Sequence, residues 1–404
     1  MTGGLVVAGG GFAGLWAALA AVREAKLAGA ELPVTLLSPE PWLVMRPRLY
    51  ERDPAKLRED LRPLLQAAGI RFVAGAAEDA VAEGAGGRLR YRDGAGEAAE
   101  LPFDRLVVAT GSRMTLPPVP GLAEHGFDVD SHHGALKLDR HLAALAAAPA
   151  DAEHGGFVVV GGGFTGIEMA LELRDRIAAH AGAAAAQAAA IHLVERSAEV
   201  GPELGANPRP VILEALQAAG VQLHLGRQVA EVTDRAALLD DGTMLPAATV
   251  IAATGMAAAM PWPGLKGPRD ATGRIVVAPE LRLPEAPAVF AAGDAARAEL
   301  DEAGNTALMS CQHALRMGRF AGRNAACDLL GLELRPYRQP DYVTCLDLGR
   351  SGAVLTRGWT REVAMNGAEA KALKRRINTE VIYPPPPAMD AVMEMADVDY
   401  TWRR

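Results

Sequence analysis

A glycine-rich segment near the N-terminus returns once, a domain's length later. Leu5-Val6-Val7-Ala8-Gly9-Gly10-Gly11-Phe12-Ala13-Gly14 is echoed by Val158-Val159-Val160-Gly161-Gly162-Gly163-Phe164-Thr165-Gly166, so that Gly9 and Gly161 stand 152 positions apart. That spacing is too long for a solenoid period and fits a whole folding unit. Each copy is an apolar run, then G-x-G-x-x-G, then a helical pattern: Leu15 to Ala21 after the first and Ile167 to Leu173 after the second. In such a strand-turn-helix, the first glycine (Gly9, Gly161) lets the turn tighten. The second (Gly11, Gly163) lets the backbone approach a pyrophosphate without a Cβ in the way, and the third (Gly14, Gly166) lets helix and strand pack closely. The helix N-terminus then offers unpaired N–H groups and partial positive charge to the phosphates. One copy alone is weak evidence, because glycine turns also serve plain packing. Two in matching context imply two dinucleotide sites, on an α/β chain with two Rossmann-like domains.

The strands that follow distinguish the two sites. Ile191 to Val194 ends in Glu195, where a carboxylate accepts hydrogen bonds from a free ribose 2′-hydroxyl and repels a 2′-phosphate. This favours NADH over NADPH, with Arg196 next in line to soften the preference. Val34 to Leu37 is the equivalent strand of the first unit, but Ser38 follows it and Glu40 lies two further on. Either Ser38 binds the ribose as a neutral partner or Glu40 reaches back. The alanine-rich stretch between Glu168 and Glu195 reads as an extended helix, since alanine has the best helix propensity.

A chain of 404 residues accommodates two or three domains, and its net charge of -8 argues against nucleic acid as a partner. Cys311, Cys327 and Cys345 are too scattered for a disulfide framework and suggest a reducing compartment. Gly3 to Val22 carries no charge and is long enough to imitate a membrane span, but it lacks a basic flank and its glycine cluster interrupts it. The expectation is a fold that begins directly, with no targeting segment, in the cytoplasm. No metal site is expected.

Further motifs resemble the FAD-dependent pyridine-nucleotide oxidoreductases, most closely the type II NADH dehydrogenases. Leu106-Val107-Val108-Ala109-Thr110-Gly111-Ser112 resembles the A-T-G segment where the FAD domain hands over to the NAD domain, and Val250-Ile251-Ala252-Ala253-Thr254-Gly255 resembles its partner at the exit. Val289-Phe290-Ala291-Ala292-Gly293-Asp294 is similar to the second FAD motif, which implies that Asp294 meets the ribityl hydroxyls of the flavin. Pro47-Arg48-Leu49-Tyr50-Glu51 resembles the P-L-L-Y-E segment beside the isoalloxazine, with Arg48 a departure, and Glu168 matches a G-x-E near flavin and nicotinamide. The resemblance implies a glutathione-reductase-like arrangement. The FAD domain takes residues 1–115 and 281–345, an NAD(P)H domain is inserted at 116–280, and a C-terminal module follows at 346–404. Beyond the glycines, it implies FAD contacts from Phe12, Ala13, Arg46 and Tyr50.

The implied activity is NADH oxidation through FAD, with two electrons leaving to a quinone-like or other small acceptor. A helix read over Thr306 to Ala326 is implied to aim its N-terminal end at the flavin pyrimidine. There the family's A-Q-x-x-x-Q motif is matched by Cys311-Gln312-His313-Ala314-Leu315-Arg316, which keeps Gln312, places His313 beside it and puts Arg316 on the second glutamine. Glu168 and Gln312 are the implied catalytic residues. Type II enzymes end in amphipathic membrane-surface helices. Here Glu369 to Asn378, with Lys371, Lys374, Arg375 and Arg376, reads as a solvated or dimer-facing helix, after strand-like residues Tyr342 to Val354 and before a Pro384 to Pro387 run that prevents regular structure. Peripheral contact with the inner membrane and homodimerisation stay open. So do three rival readings: a reductase for an iron–sulfur carrier docking on Arg316, Arg319 and Arg323, a sulfide-oxidising enzyme, and an NADH-dependent redox sensor.

Overall fold

The computed structural model describes residues 3–147 and 156–402. Its α/β architecture is built on two parallel sheets that repeat the same local design. In the first, Leu5–Ala8 lies between Val34–Ser38 and Arg105–Val108, with Arg71–Glu83 and Ala286–Ala291 outside them, all parallel. Leu5, Val6, Val7 and Ala8 are at most 1% exposed. Such a strand is covered on both faces, which is why it reads as an unbroken apolar run. Arg71–Glu83 continues past the parallel core into an antiparallel meander with Gly86–Asp93 and Ala98–Phe103. The second sheet is parallel throughout, in the order Gly126–Asp128, Thr249–Ala252, Gly156–Val160, Ala190–Glu195, Val221–Leu225.

The two fingerprints fold identically. Gly9 and Gly161 hold φ of +117° and +108°, and a Cβ on either would stand 2.2 Å from Ala109 O or 2.3 Å from Ala253 O. Each A-T-G segment therefore packs directly against the first glycine of its own fingerprint. The helices that follow are Phe12–Leu27 and Phe164–Ala188. The alanine-rich helix does form, but in two pieces, because Gly182 breaks it with φ +82°. Ser112–Met114 and Met256–Ala258, leading out of the two A-T-G segments, pair antiparallel as a ribbon between the sheets.

Helix Cys311–Leu329 lies along helix Phe12–Leu27. It starts later than the sequence suggested, because Ser310 caps it and Thr306 is instead drawn into a bridge with Glu299. The close approach depends on glycine: a Cβ on Gly318 would lie 2.3 Å from Ala13 O, and one on Gly322 1.9 Å from Ala17 O. Beyond it, Val343–Asp347, Ala353–Arg357 and Glu362–Asn366 form an antiparallel sheet. Helix Gly367–Arg376 covers that sheet and runs on into a wider turn, Ile377–Val381.

Candidate active site

A cavity of about 1770 Å³ connects both fingerprint loops and extends under the C-terminal sheet. On the first-domain side it is lined by Gly11, Phe12, Ala13, Ser38, Arg46 and Tyr50, and further on by Ala109, Gly111 and Asp294. A Cβ on Gly11 or on Gly111 would meet no atom, so both glycines border open space. The helix N-terminus at Phe12 has no side-chain cap and keeps its positive end for a ligand. Ser38 lines the cavity, whereas Glu40 is exposed outside it. Gly9, Gly14, Gly166 and Gly293 lie behind the wall and shape it by close backbone approach. Thr110 is turned to Trp262, whose Nε1 donates to its hydroxyl at 3.4 Å.

Arg46 organises the middle of this side. It donates to Ser112 Oγ (3.0 Å) and pairs with Asp130, and Ser112 in turn donates to Asp294 Oδ2 at 2.5 Å. Burial pushes the Asp294 carboxyl above its ordinary range, against the pull of Ser112 and Arg46. It is a desolvated acceptor facing the cavity, suited to hydroxyl donors.

On the second-domain side stand Gly161, Gly163, Glu195 and Gly255, the last with open space where a Cβ would go. The Glu195 carboxylate accepts from Gly162 N (2.6 Å) and Ser197 N (2.8 Å), which fixes it at the end of its strand. Arg196 and Arg227 flank it on the wall. The first amide of the helix, Phe164 N, donates to Glu203 Oε1 at 2.9 Å. A carboxylate thus sits where the second loop offers its phosphate-binding end.

The two sides meet at a buried ion pair. Glu168, 4% exposed, accepts from Lys374 Nζ and from Asp347 N, both at 2.9 Å. Lys374 also donates to Cys345 O at 2.9 Å, while Asp347 is paired with Lys371 and accepts from Tyr50 Oη at 3.3 Å. Burial raises the Glu168 carboxyl to about 7, with Lys374 opposing the shift. The Lys374 ammonium stays charged: burial works against it, but the Glu168 carboxylate and their hydrogen bond outweigh it. Gln312 sits beside this group, its Nε2 donating to Val343 O at 3.1 Å. Cys311 and Cys345 share the wall, and burial pushes both thiols up to about 11, so both are uncharged near neutrality.

Some placements depart from expectation. His313 is not on the cavity wall: it is fully buried, accepts from Leu308 N (3.2 Å), and stacks on Tyr342. Burial takes it down to about 4, so it is a neutral packing residue. The basic helix is solvated on one face only: Glu369, Arg375 and Arg376 are exposed, whereas Ala370 and Lys374 are buried, with Lys374 reaching the cavity. Arg316, Arg319 and Arg323 do not form an exposed face: Arg319 is 9% exposed and Arg323 is engaged by Glu24 and Glu333 O. Lys374 and Glu203 reach the site without a motif in the sequence to mark them. Among the described residues no helix is long and apolar enough to cross a membrane.

Known proteins share this layout. The model of the pyridine nucleotide-disulphide oxidoreductase family matches residues 4–318. A Mycobacterium tuberculosis protein named NADH dehydrogenase-like is 43% identical over 385 residues, 94% of each chain. A demethylphylloquinone reductase of Synechocystis sp. is 26% identical over 363 residues, 87% of this chain and 86% of its own. The solved structure of Plasmodium falciparum NDH2 in complex with NADH shares the fold, with a TM-score of 0.75 over 97% of this chain and 96% of that one, at 13% identity.

Proposed function

This chain belongs to the pyridine nucleotide-disulphide oxidoreductase family, and as a member it is an NAD(P)H-dependent flavoenzyme; from that premise we propose that it passes electrons from NADH through FAD to a quinone-like acceptor. One observation carries the reading. A single cavity joins both fingerprint helices, with the Glu168–Lys374 pair between them. The residues present fit FAD: open space at Gly11 and Gly111, an uncapped helix end, and a buried carboxyl at Asp294. Bound FAD would supply the two-electron relay by which NADH, a proton and a quinone become NAD⁺ and a quinol.

The chain's own groups do the rest. Gly11, Phe12 and Ala13 bind the FAD diphosphate, Ser38 the adenosine ribose, Asp294 the ribityl hydroxyls, and Arg46 with Ser112 orients Asp294. Tyr50, Ala109 and Gly111 bound the ring system, and the residues of the second loop with Gly255 receive the nicotinamide dinucleotide. Glu195 selects NADH over NADPH, because a carboxylate held by two backbone N–H groups accepts a ribose hydroxyl and repels a phosphate. The Glu168 carboxyl, raised to about 7, exchanges a proton near neutrality where the two substrates meet, and Lys374 brings positive charge to the place where the electron pair arrives. Gln312 positions the acceptor. The acceptor reading draws further support from the relative named as a demethylphylloquinone reductase.

The test is anaerobic. NADH added to the purified yellow protein should bleach the flavin, and a soluble quinone should restore it within the same mixing experiment. Bleaching without recovery would remove the quinone assignment, and no bleaching would remove the NADH site.

A further inference from the structure

The acceptor end of the cavity carries two arginines that make no direct hydrogen bond or ion pair among the described residues. Gln312, Arg316 and Arg319 recur at four- and three-residue intervals on helix Cys311–Leu329, which puts them in one stripe spanning about 10 Å. All three line the cavity. Among the described residues neither arginine has a hydrogen-bond or ion-pair partner, and the Nε of each is buried without one. Arg319 is 9% exposed and lies over Trp16, 4.2 Å from its ring centre, with Tyr400 on another side at 5.3 Å. Burial lowers its guanidinium to about 10; Tyr400 and Asp397 oppose the shift, and the neighbouring Arg316 adds to it. By contrast Arg323, on the same helix, has Glu24 beside it.

A buried and a half-buried cation side by side, with Asp397 and Asp399 acting on them beyond ion-pair distance, are costly to hold, and an anion between them relieves both the desolvation and the mutual repulsion. The FAD diphosphate is not placed to do this. It fits the first fingerprint's helix end, and the second helix packs against that element through Ala13 and Ala17 with a different face, the one carrying Gly318 and Gly322. Aromatic rings flank the arginines, Trp16 and Tyr400 at Arg319 and Phe320 at Arg316, and Leu315, Ile382 and Trp402 are among the other lining residues of the cavity.

Resting on the quinone-class reading above, we propose that Arg316 and Arg319 form an anion subsite of the acceptor pocket, and that the acceptor is a planar, apolar quinone bearing an acidic group such as a carboxylate, sulfonate or ionised hydroxyl. The electron balance is unchanged: two electrons and two protons convert quinone to quinol, and the acidic group serves for binding alone.

The holoenzyme, reduced anaerobically by NADH, is mixed with a sulfonated naphthoquinone or with its uncharged parent, and flavin reoxidation is followed. The ratio of the two second-order rate constants, compared between proteins, cancels the difference in driving force between the quinones. That ratio should fall at least ~tenfold in Arg316→Gln and Arg319→Gln, and Arg319→Lys, which keeps the charge, should retain most of it. Arg316→Gln carries the test if the Arg319 variants misfold. An unchanged ratio overturns the subsite, and so does loss of bound FAD from Arg316→Gln, which would assign the arginine to the diphosphate. If NADH fails to bleach the wild type, the oxidoreductase reading fails separately. Naphthalene sulfonate binding, followed by tryptophan fluorescence, still reads the subsite in that case: the same variants should weaken it at least ~tenfold, and equal binding overturns it.

Discussion

Glu172 shows how a single buried carboxyl makes the fold sensitive to pH. It lies one turn beyond Glu168, and burial, then Asp175 and Asp347, raise it from the ordinary 4.5 to about 7. The folded chain therefore binds more protons than the unfolded chain between those values. The stability this proton supplies is complete below 4.5 and is lost as pH rises through about 7. Glu172→Gln, which cannot ionise, should match the wild type in thermal melts at about pH 4 and exceed it by roughly 1–3 kcal/mol at about pH 8. A variant less stable at the higher pH would refute the assignment. Glu168 is shifted as far but has Lys374 against it. The rate of flavin bleaching by NADH should bend near pH 7, the value to which Glu168 is raised. The bend should vanish in Glu168→Gln and move to higher pH in Lys374→Met, where burial acts unopposed. Glu168 was legible in the sequence because it stands at a fixed step from the last fingerprint glycine. Lys374 was not: it is one of four basic residues within six positions, and only Ala370, one turn before it, marks that face as the inward one.

Among the elements, the paired helices Phe12–Leu27 and Cys311–Leu329 matter most, because they set the cavity's wall and its width. Their contact is built on small residues at four-residue spacing, Ala13 and Ala17 against Gly318 and Gly322. A leucine at 322 would have to enter the space held by the Ala17 carbonyl, 1.9 Å from its Cβ. Gly322→Leu should cost at least ~3 kcal/mol in denaturant unfolding and release FAD on purification. A variant that kept both its cofactor and its stability would show that the helices separate freely. The spacing was visible in the sequence, but nothing there says which two helices meet. The fingerprints were legible for the opposite reason, since the first and third glycines of each are demanded by backbone contacts within their own unit. The short turn Pro202–Leu204 lay between those extremes, with no motif to mark it. It aims Glu203 at the phosphate-binding end of the second helix, so Glu203→Gln should tighten NAD⁺ binding roughly 3- to 10-fold in calorimetric titrations. Weaker binding would mean that Glu203 holds the nucleotide instead of competing with it.

At the level of the whole molecule, the site exists only when three separated parts of the chain are assembled. Glu168 and Lys374 are 206 positions apart, and no local pattern encodes a pairing at that distance. The parts are tied independently of that pair. Arg48 donates to Glu51 and Tyr383, and Asn378 donates to Glu51, which fastens the turn after the basic helix to the first domain. Arg48, a departure from the family's segment, thus has a structural use. FAD lying in the cavity would touch the first domain and the C-terminal module together, so its free energy of binding should stabilise their assembly, by about 4 kcal/mol when free FAD exceeds its Kd about 1,000-fold. Stripping FAD should therefore lower the melting temperature, and added FAD should restore it in a concentration-dependent way. The loss should concentrate where the module is held. Arg375 and Arg376 end a helix whose inner face is Ala370 and Lys374, and trypsin reaches them only when that helix loosens. Cleavage there, identified by mass, should be faster in the stripped protein and slowed again by FAD. Equal cleavage with and without FAD would show that the module docks independently of the cofactor, held by the chain's own ties, those of Arg48, Asn378 and Lys374 among them.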